Sequence, residues 1–379
     1  MNFTLSEEQV MLQDAVTRFL ADHYGFERRH ELLAAGFSRP IWNAFATSLG
    51  ILGAALPESS GGMGGGPVDT MIIMEAIGRS LVIEPYLETV VVGGGILKRS
   101  PGDRAAQLLS QTVAGQVVIA FAGLEPGARY AQQHVATAAV HDGAGWVLNG
   151  AKSVVDGAPA ATHLIVSART SGAARDRDGV SLFIVDANAT GIASHDYRLI
   201  DGRSAADIEF RDVRVTADAL LGGQGDAIDL IEHVMDEATA ALCSEAVGVM
   251  RRLLEDTIAY TKQRRQFGQP LSSFQVLQHR MVDMYMALEQ AVSAVYMATL
   301  KLDQSPVDRA LAVSAAKVTI GKSARMIGQN AVQLHGGMGM TDELAVGHYF
   351  KRATVIEAQF GSVDHHLARY ATLSREAAA

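Results

Sequence analysis

The chain has 379 residues, more than one packed domain normally holds, because single cores stop growing at roughly 250–300 residues. Hydrophobic residues make up 48% and charged residues 19%, with 37 glycines against 9 prolines, which excludes disordered and collagen-like classes. A net charge of −9 argues against nucleic acid as a partner, and the single cysteine, Cys243, excludes an intrachain disulfide and a cysteine-rich metal site.

At the N-terminus, Met1-Asn2-Phe3-Thr4-Leu5-Ser6-Glu7-Glu8 lacks a basic leader followed by an apolar stretch. No apolar run reaches the ~20 residues of a membrane span, so a cytoplasmic protein is expected. From Leu5 to about Gln116 the pattern is helical. Ser6-x-x-Gln9 resembles a capping box, and Val10, Leu12, Val16 and Leu20 recur near helical spacing. The run from Gly61 to Pro67 follows no strand and lacks a Gly-Lys-Ser/Thr ending, so it reads as a flexible interhelical loop rather than a phosphate loop.

Between Val117 and about Val215, short apolar runs bounded by glycine and aspartate predict a small β domain. Strands are expected at Trp146–Leu148, His163–Ser167 and Val180–Val185, turns at Asp142-Gly143 and Asp178-Gly179, and an exposed loop over Ser171–Asp178. Long helices return after Leu220. Leu277, Met281, Met284, Leu288, Ala291, Val295, Ala298 and Leu302 form one apolar stripe, broken at Ser305-Pro306. A second stripe, Val313, Ala316, Ile320, Ile327, Ala331 and Leu334, runs into Gly336-Gly337, a helix C-terminus. The expected division is residues 1–116 helical, 117–220 β and 221–379 a helical bundle.

The stretch Tyr260-Thr261-Lys262-Gln263-Arg264-Arg265-Gln266-Phe267-Gly268-Gln269-Pro270-Leu271, then Phe274-Gln275-x-x-Gln278 and Asp283-Met284, resembles the acyl-CoA dehydrogenase signature. So does Gln333-Leu334-His335-Gly336-Gly337-Met338-Gly339-Met340-Thr341-Asp342-Glu343. The resemblance implies an α+β fold with an N-terminal helical domain, a middle β-barrel and a C-terminal four-helix bundle. It also implies FAD as cofactor and an acyl-CoA as substrate, desaturated to a trans-2-enoyl-CoA. Arg264 would grip the pyrophosphate with a planar set of donors. Phe267 would pack on the adenosine, Gln275 and Gln333 would make polar contacts, and Gly336-Gly337 would let backbone approach closely. In similar proteins these groups reach the flavin of a neighbouring subunit.

Around the flavin ring the chain departs from the family. Leu124-Glu125-Pro126-Gly127-Ala128 has lost the usual threonine hydroxyl at Leu124, and Tyr130 replaces a serine that commonly contacts the CoA portion. Val154 stands in for a tryptophan and Asp156 for a threonine. Taken alone, Leu124 and Val154 read as β-domain core and Asp156 as a turn residue before Gly157. Phe360 and Ala238 occupy the two places where relatives carry the glutamate base, and Thr239 the place of an arginine. Glu237 is a weak candidate base, rotated ~100° around its helix from Ala238.

The resemblance extends to the small subunits of the pimeloyl-CoA dehydrogenase kind within hetero-oligomeric members of the family, supported by the tail from Ser362 to Tyr370. It implies a homologous large subunit that supplies the base and acyl-CoA pocket, and an electron-transfer flavoprotein as acceptor. Two alternatives stand beside it. One is a self-sufficient homo-oligomer using Glu237, Asp156 or Asp364 as a relocated base; the other is a structural subunit that binds neither flavin nor thioester. His335 and His365-His366 lack the clustered partners of a metal site, so no metal is expected.

Overall fold

The structure is a computed structural model that describes residues 4–378; Met1–Phe3, where the leaderless reading begins, lie outside them. The described chain divides into two compact units. One takes the N-terminus through Glu31, then Pro67–Val82 and all from Thr239; the other takes Leu32–Gly66 and Ile83–Ala238.

In the first unit, helix α1 (Glu7–His23) starts on the capping box read from the sequence. Ser6 Oγ accepts from the Gln9 amide at 3.2 Å, and the Gln9 side chain accepts from the Ser6 amide at 3.1 Å. Helix α2 (Arg29–Ala35) follows and is divided between the units after Glu31, and α4 (Pro67–Ser80) belongs with α1. The bundle comprises the C-terminal part of α7 (Ile228–Gln263), with α8 (Gln275–Leu300), α9 (Pro306–His335), α10 (Ala345–Ala358) and α11 (Val363–Glu376). Ser305 caps α9 by accepting from the Asp308 amide, with Pro306 in the first turn, where its missing N–H costs nothing. The α9 stripe is fully buried, as are Met284 to Ala298 on α8, whereas Leu277 and Met281 are only half-buried.

Two buried ionic arrangements specify this bundle. Arg352 grips Glu245 through two bonds of 2.7 and 2.8 Å, with both side chains almost wholly excluded from water. Among the described residues Lys317 has no carboxylate within bonding distance; its Nζ donates to the carbonyls of Ile356, Glu357 and Gly361 at 2.9, 3.0 and 2.7 Å. It thereby satisfies orphan acceptors at the C-terminus of α10 and pins the turn that carries Phe360. Cys243, buried near this lysine, has its thiol pushed up to about 12 by burial.

In the second unit, α3 (Arg39–Thr47) leads to the glycine run. This run is ordered rather than flexible: the amides of Gly62, Met63, Gly64 and Gly65 donate to Pro57, Gly53, Leu56 and Ala54 carbonyls. A Cβ on Gly62 would lie 2.2 Å from the Leu56 carbonyl oxygen, so the close backbone approach requires glycine there. A π-helical turn, Leu87–Gly93, continues into α5 (Gly94–Leu97), and α6 (Asp103–Val113) closes the helical part.

The sheet contains β1 (Ile119–Ala122), β2 (Ala138–His141), β3 (Gly145–Asp156), β4 (His163–Arg169), β5 (Val180–Asp186), β6 (Ile192–Arg198), β7 (Ser204–Thr216) and β8 (Leu220–Leu221). Its order is β6-β7-β3-β2-β4-β5-β8, with β1 parallel beside β4. Trp146, Phe183 and Phe210 occupy one core shared by β1 to β5 and β7. The three expected strands are β3, β4 and β5, each longer than read. The long β7 escaped sequence reading because charges interrupt its apolar positions, yet Ile208, Phe210 and Val213 point inward between exposed neighbours.

Candidate functional site

The C-terminus of α7, the start of α8 and the end of α9 converge on a cavity of about 630 Å³ in the first unit. Its lining includes Tyr260, Arg264, Arg280, Gln333, Gly336 and Gly337 over an apolar floor of Leu271, Val276 and Leu277. Four residues expected at a cofactor, Arg264, Gln333, Gly336 and Gly337, are thus brought together. Phe267 and Gln275 are exposed and lie outside the cavity lining.

The glycine edge is built by the helix that precedes it. Buried His335 ends α9, its Nδ1 2.8 Å from the Ala331 carbonyl, and its ring stacks on Tyr260 with centroids 4.3 Å apart. Burial holds His335 below the ordinary histidine range, so the ring is neutral near pH 7. Gly336 caps the helix at φ 61°, ψ −142°, a conformation reserved for glycine. A Cβ at Gly336 or Gly337 would meet no atom within 4 Å, so the backbone of this turn is open to an incoming ligand.

Phe267 sits on a hairpin tip between β9 (Arg265–Gln266) and β10 (Gln269–Pro270). Phe267 and Gly268 have φ of 53° and 82°, the two positive values of a tight primed hairpin turn. A bulky side chain there is strained, and this one is also 91% exposed. A strained backbone carrying an exposed aromatic ring suits a contact beyond this chain.

The donor set fits a dinucleotide. Neither Arg264 nor Arg280 has a carboxylate or hydrogen-bond partner for its guanidinium among the described residues. The unneutralised Arg264 guanidinium suits a phosphate, the apolar floor suits an aromatic base, and the glycine turn permits close approach. FAD would be held here by Arg264, Gln333 and the Gly336-Gly337 backbone. Arg280 was missed from the sequence; its signal was the helical spacing that places it on the face of Val276 and Leu277.

The ring-side positions lie in the second unit. Val154 is not core: it is 49% exposed, at φ 52°, in an irregularity of the β3–β7 pairing, with its amide donating to Asp207 Oδ1 at 2.9 Å. The sequence assigned it inward because valine favours strand cores, but the register shift turns it out. Leu124 is half-buried, and Asp156 ends β3 before Gly157 at φ 73°. The Glu125 carboxylate accepts from Lys152 Nζ at 2.8 Å and from the amides of Ala136 and Thr137, which fixes the loop from Leu124 to Tyr130.

Ala238 is fully buried and Phe360, at φ 60°, half-buried; neither can accept a proton. Glu237 is held by Arg99 through bonds of 3.0 and 2.6 Å, with His233 and Lys98 nearby. Although burial opposes it, these partners bring its carboxyl down to about 2. A carboxylate so stabilised is a weak base. Among the described residues no group of three His, Cys, Asp or Glu side chains is placed to hold a metal, and no helix is long and apolar enough to cross a membrane.

Comparison with known proteins agrees with this geometry. The acyl-CoA dehydrogenase N-terminal, middle and C-terminal domains match residues 6–115, 120–213 and 225–372. The chain is 30% identical over 321 residues to the human short-chain specific acyl-CoA dehydrogenase of mitochondria, covering 83% of this chain and 77% of that protein. It is 29% identical over 365 residues to the CarC subunit of the caffeyl-CoA reductase-Etf complex of Acetobacterium woodii, covering 94% and 95%. It superimposes with a TM-score of 0.89 at 26% identity on a chain of the ChsE4-ChsE5 complex from Mycobacterium tuberculosis, covering 100% and 99%. The chain therefore belongs to the acyl-CoA dehydrogenase family, FAD-dependent oxidoreductases acting on CH–CH groups.

Proposed function

We propose that this chain is the FAD-clamping subunit of a hetero-oligomeric acyl-CoA dehydrogenase. A homologous large subunit supplies the base and the acyl-CoA pocket, and electrons pass to an electron-transfer flavoprotein. The observation that carries this reading is an asymmetry. The cavity around Arg264 is intact and cationic, while Phe360 and Ala238 bear no titratable group and Glu237 is locked by Arg99. Losing a positioned base costs roughly 10²–10⁴-fold in rate, too much for a site that works alone.

FAD, when bound, would supply the hydride acceptor for the β carbon, and the carboxylate base for the α proton would come from the large subunit. In this division of labour Arg264 and the Gly336-Gly337 backbone orient the dinucleotide, Phe267 covers its adenosine end, and Gln275 and Gln333 make polar contacts. The relative from the ChsE4-ChsE5 complex supports assembly with a second chain, and the CarC relative supports an electron-transfer flavoprotein as partner.

The test is to purify the chain alone and with its native co-purifying partner, then measure flavin per chain and turnover with acyl-CoAs and an electron acceptor. One flavin per two homologous chains and turnover only in the pair are expected. Robust turnover by the chain alone overturns the half-site reading, and a colourless complex overturns the flavin clamp.

A further inference from the structure

The cavity holds a cation that the clamp reading leaves unused. Of its lining residues only Arg264 and Arg280 carry a fixed charge, since burial keeps His335 neutral. They come from different segments, Arg264 from the residue that follows the last turn of α7 and Arg280 from the second turn of α8. Both are exposed, in a chain of net charge −9, and neither is paired with an acid among the described residues. By contrast Arg265, next to Arg264, donates to its own hairpin at the Gly268 carbonyl and is absent from the lining.

We propose that Arg280 is a second phosphate-binding residue, so that the cofactor's diphosphate is held from two separate segments, one phosphate by Arg264 and the other by Arg280. This rests on the reading of the cavity as the FAD clamp and adds to it a residue and a mode of grip. A diphosphate carries two separated anionic groups, and one planar guanidinium satisfies one of them bidentately. The second needs its own donor. Gln333 is neutral and the glycine amides carry no net charge, so Arg280 alone supplies it from this cavity.

The assembly containing this chain, stripped of flavin, is titrated with FAD and separately with riboflavin, which has no phosphate, following flavin fluorescence. Arg280→Gln is expected to raise the FAD Kd about tenfold or more, the effect of one charge-assisted grip. It should leave riboflavin binding and the thermal midpoint unchanged, because the Arg280 guanidinium is exposed and has no partner among the described residues. Arg280→Lys should recover part of the loss, and FAD binding by the Gln variant should depend less on salt. An FAD Kd within twofold of wild type overturns the proposal. So does an equal loss for riboflavin, or a smaller assembly with unchanged affinity per assembled site, which would give Arg280 to a partner's carboxylate. If Arg264→Ala also leaves FAD affinity intact, the clamp reading itself fails; if only Arg280→Gln does, this inference alone fails.

Discussion

Replacing Phe267 by asparagine sets stability against cofactor binding in one side chain. With φ at 53° the residue occupies left-handed space, which costs a bulky L-residue roughly 1–2 kcal/mol and which asparagine visits readily. Because the ring is 91% exposed, the substitution gives up almost no burial within the chain. The flavin-free chain should therefore gain about 1 kcal/mol in urea unfolding. If the ring covers the adenosine of FAD, its loss removes about 2–3 kcal/mol of aromatic burial, which raises the FAD Kd about 30–150-fold. Both quantities come from one preparation, by denaturant titration and by fluorescence titration with FAD. An FAD Kd within threefold of wild type, or a flavin-free chain less stable than wild type, would refute the reasoning that strain is kept there for contact.

Glu245→Ala strands the buried Arg352 guanidinium and should cost about 3–5 kcal/mol of stability, read from the urea midpoint; a loss below about 1 kcal/mol would mean that water or Gln359 compensates. Burial pushes Glu84 up to about 7, against the opposing pull of backbone bonds and Arg203. A raised carboxyl favours folding below its unfolded value of 4.5 and loses that contribution as pH rises through about 7. Glu84→Gln should accordingly stabilise the protein by about 3 kcal/mol at pH 8 relative to its effect at pH 4.5, and an equal effect at both pH values would sink this assignment.

Much of this was legible in the chain because it depends on local rules. The capping box at Ser6, the stripe from Val313 to Leu334 and the cap at Gly336 follow from helical periodicity and from the angles that glycine alone tolerates. The motifs between Tyr260 and Met340 likewise carried the family, since their spacing survives without knowledge of packing. The site residues divide differently. Arg264, Gln333, Gly336 and Gly337 line one cavity, but motif order did not distinguish them from Gln275 and Phe267, which are exposed outside its lining.

What remained hidden was non-local. Val154 faces outward because β3 and β7 slip register there, and residue preference is blind to a bulge set by the partner strand. Glu237 was a weak candidate base in the sequence because it is next to Ala238, where some relatives carry the glutamate; Arg99, 138 residues away, holds its carboxylate. Arg280 was ordinary helix surface until α7, α8 and α9 converged around it. The sequence alone determined the long bundle helices, three of the strands, the family and the loss of titratable groups at positions 238 and 360, since these are properties of residue type and spacing. Only the tertiary structure decided which charges are already neutralised and which remain free for a ligand, because that depends on pairs of side chains brought together from distant parts of the chain.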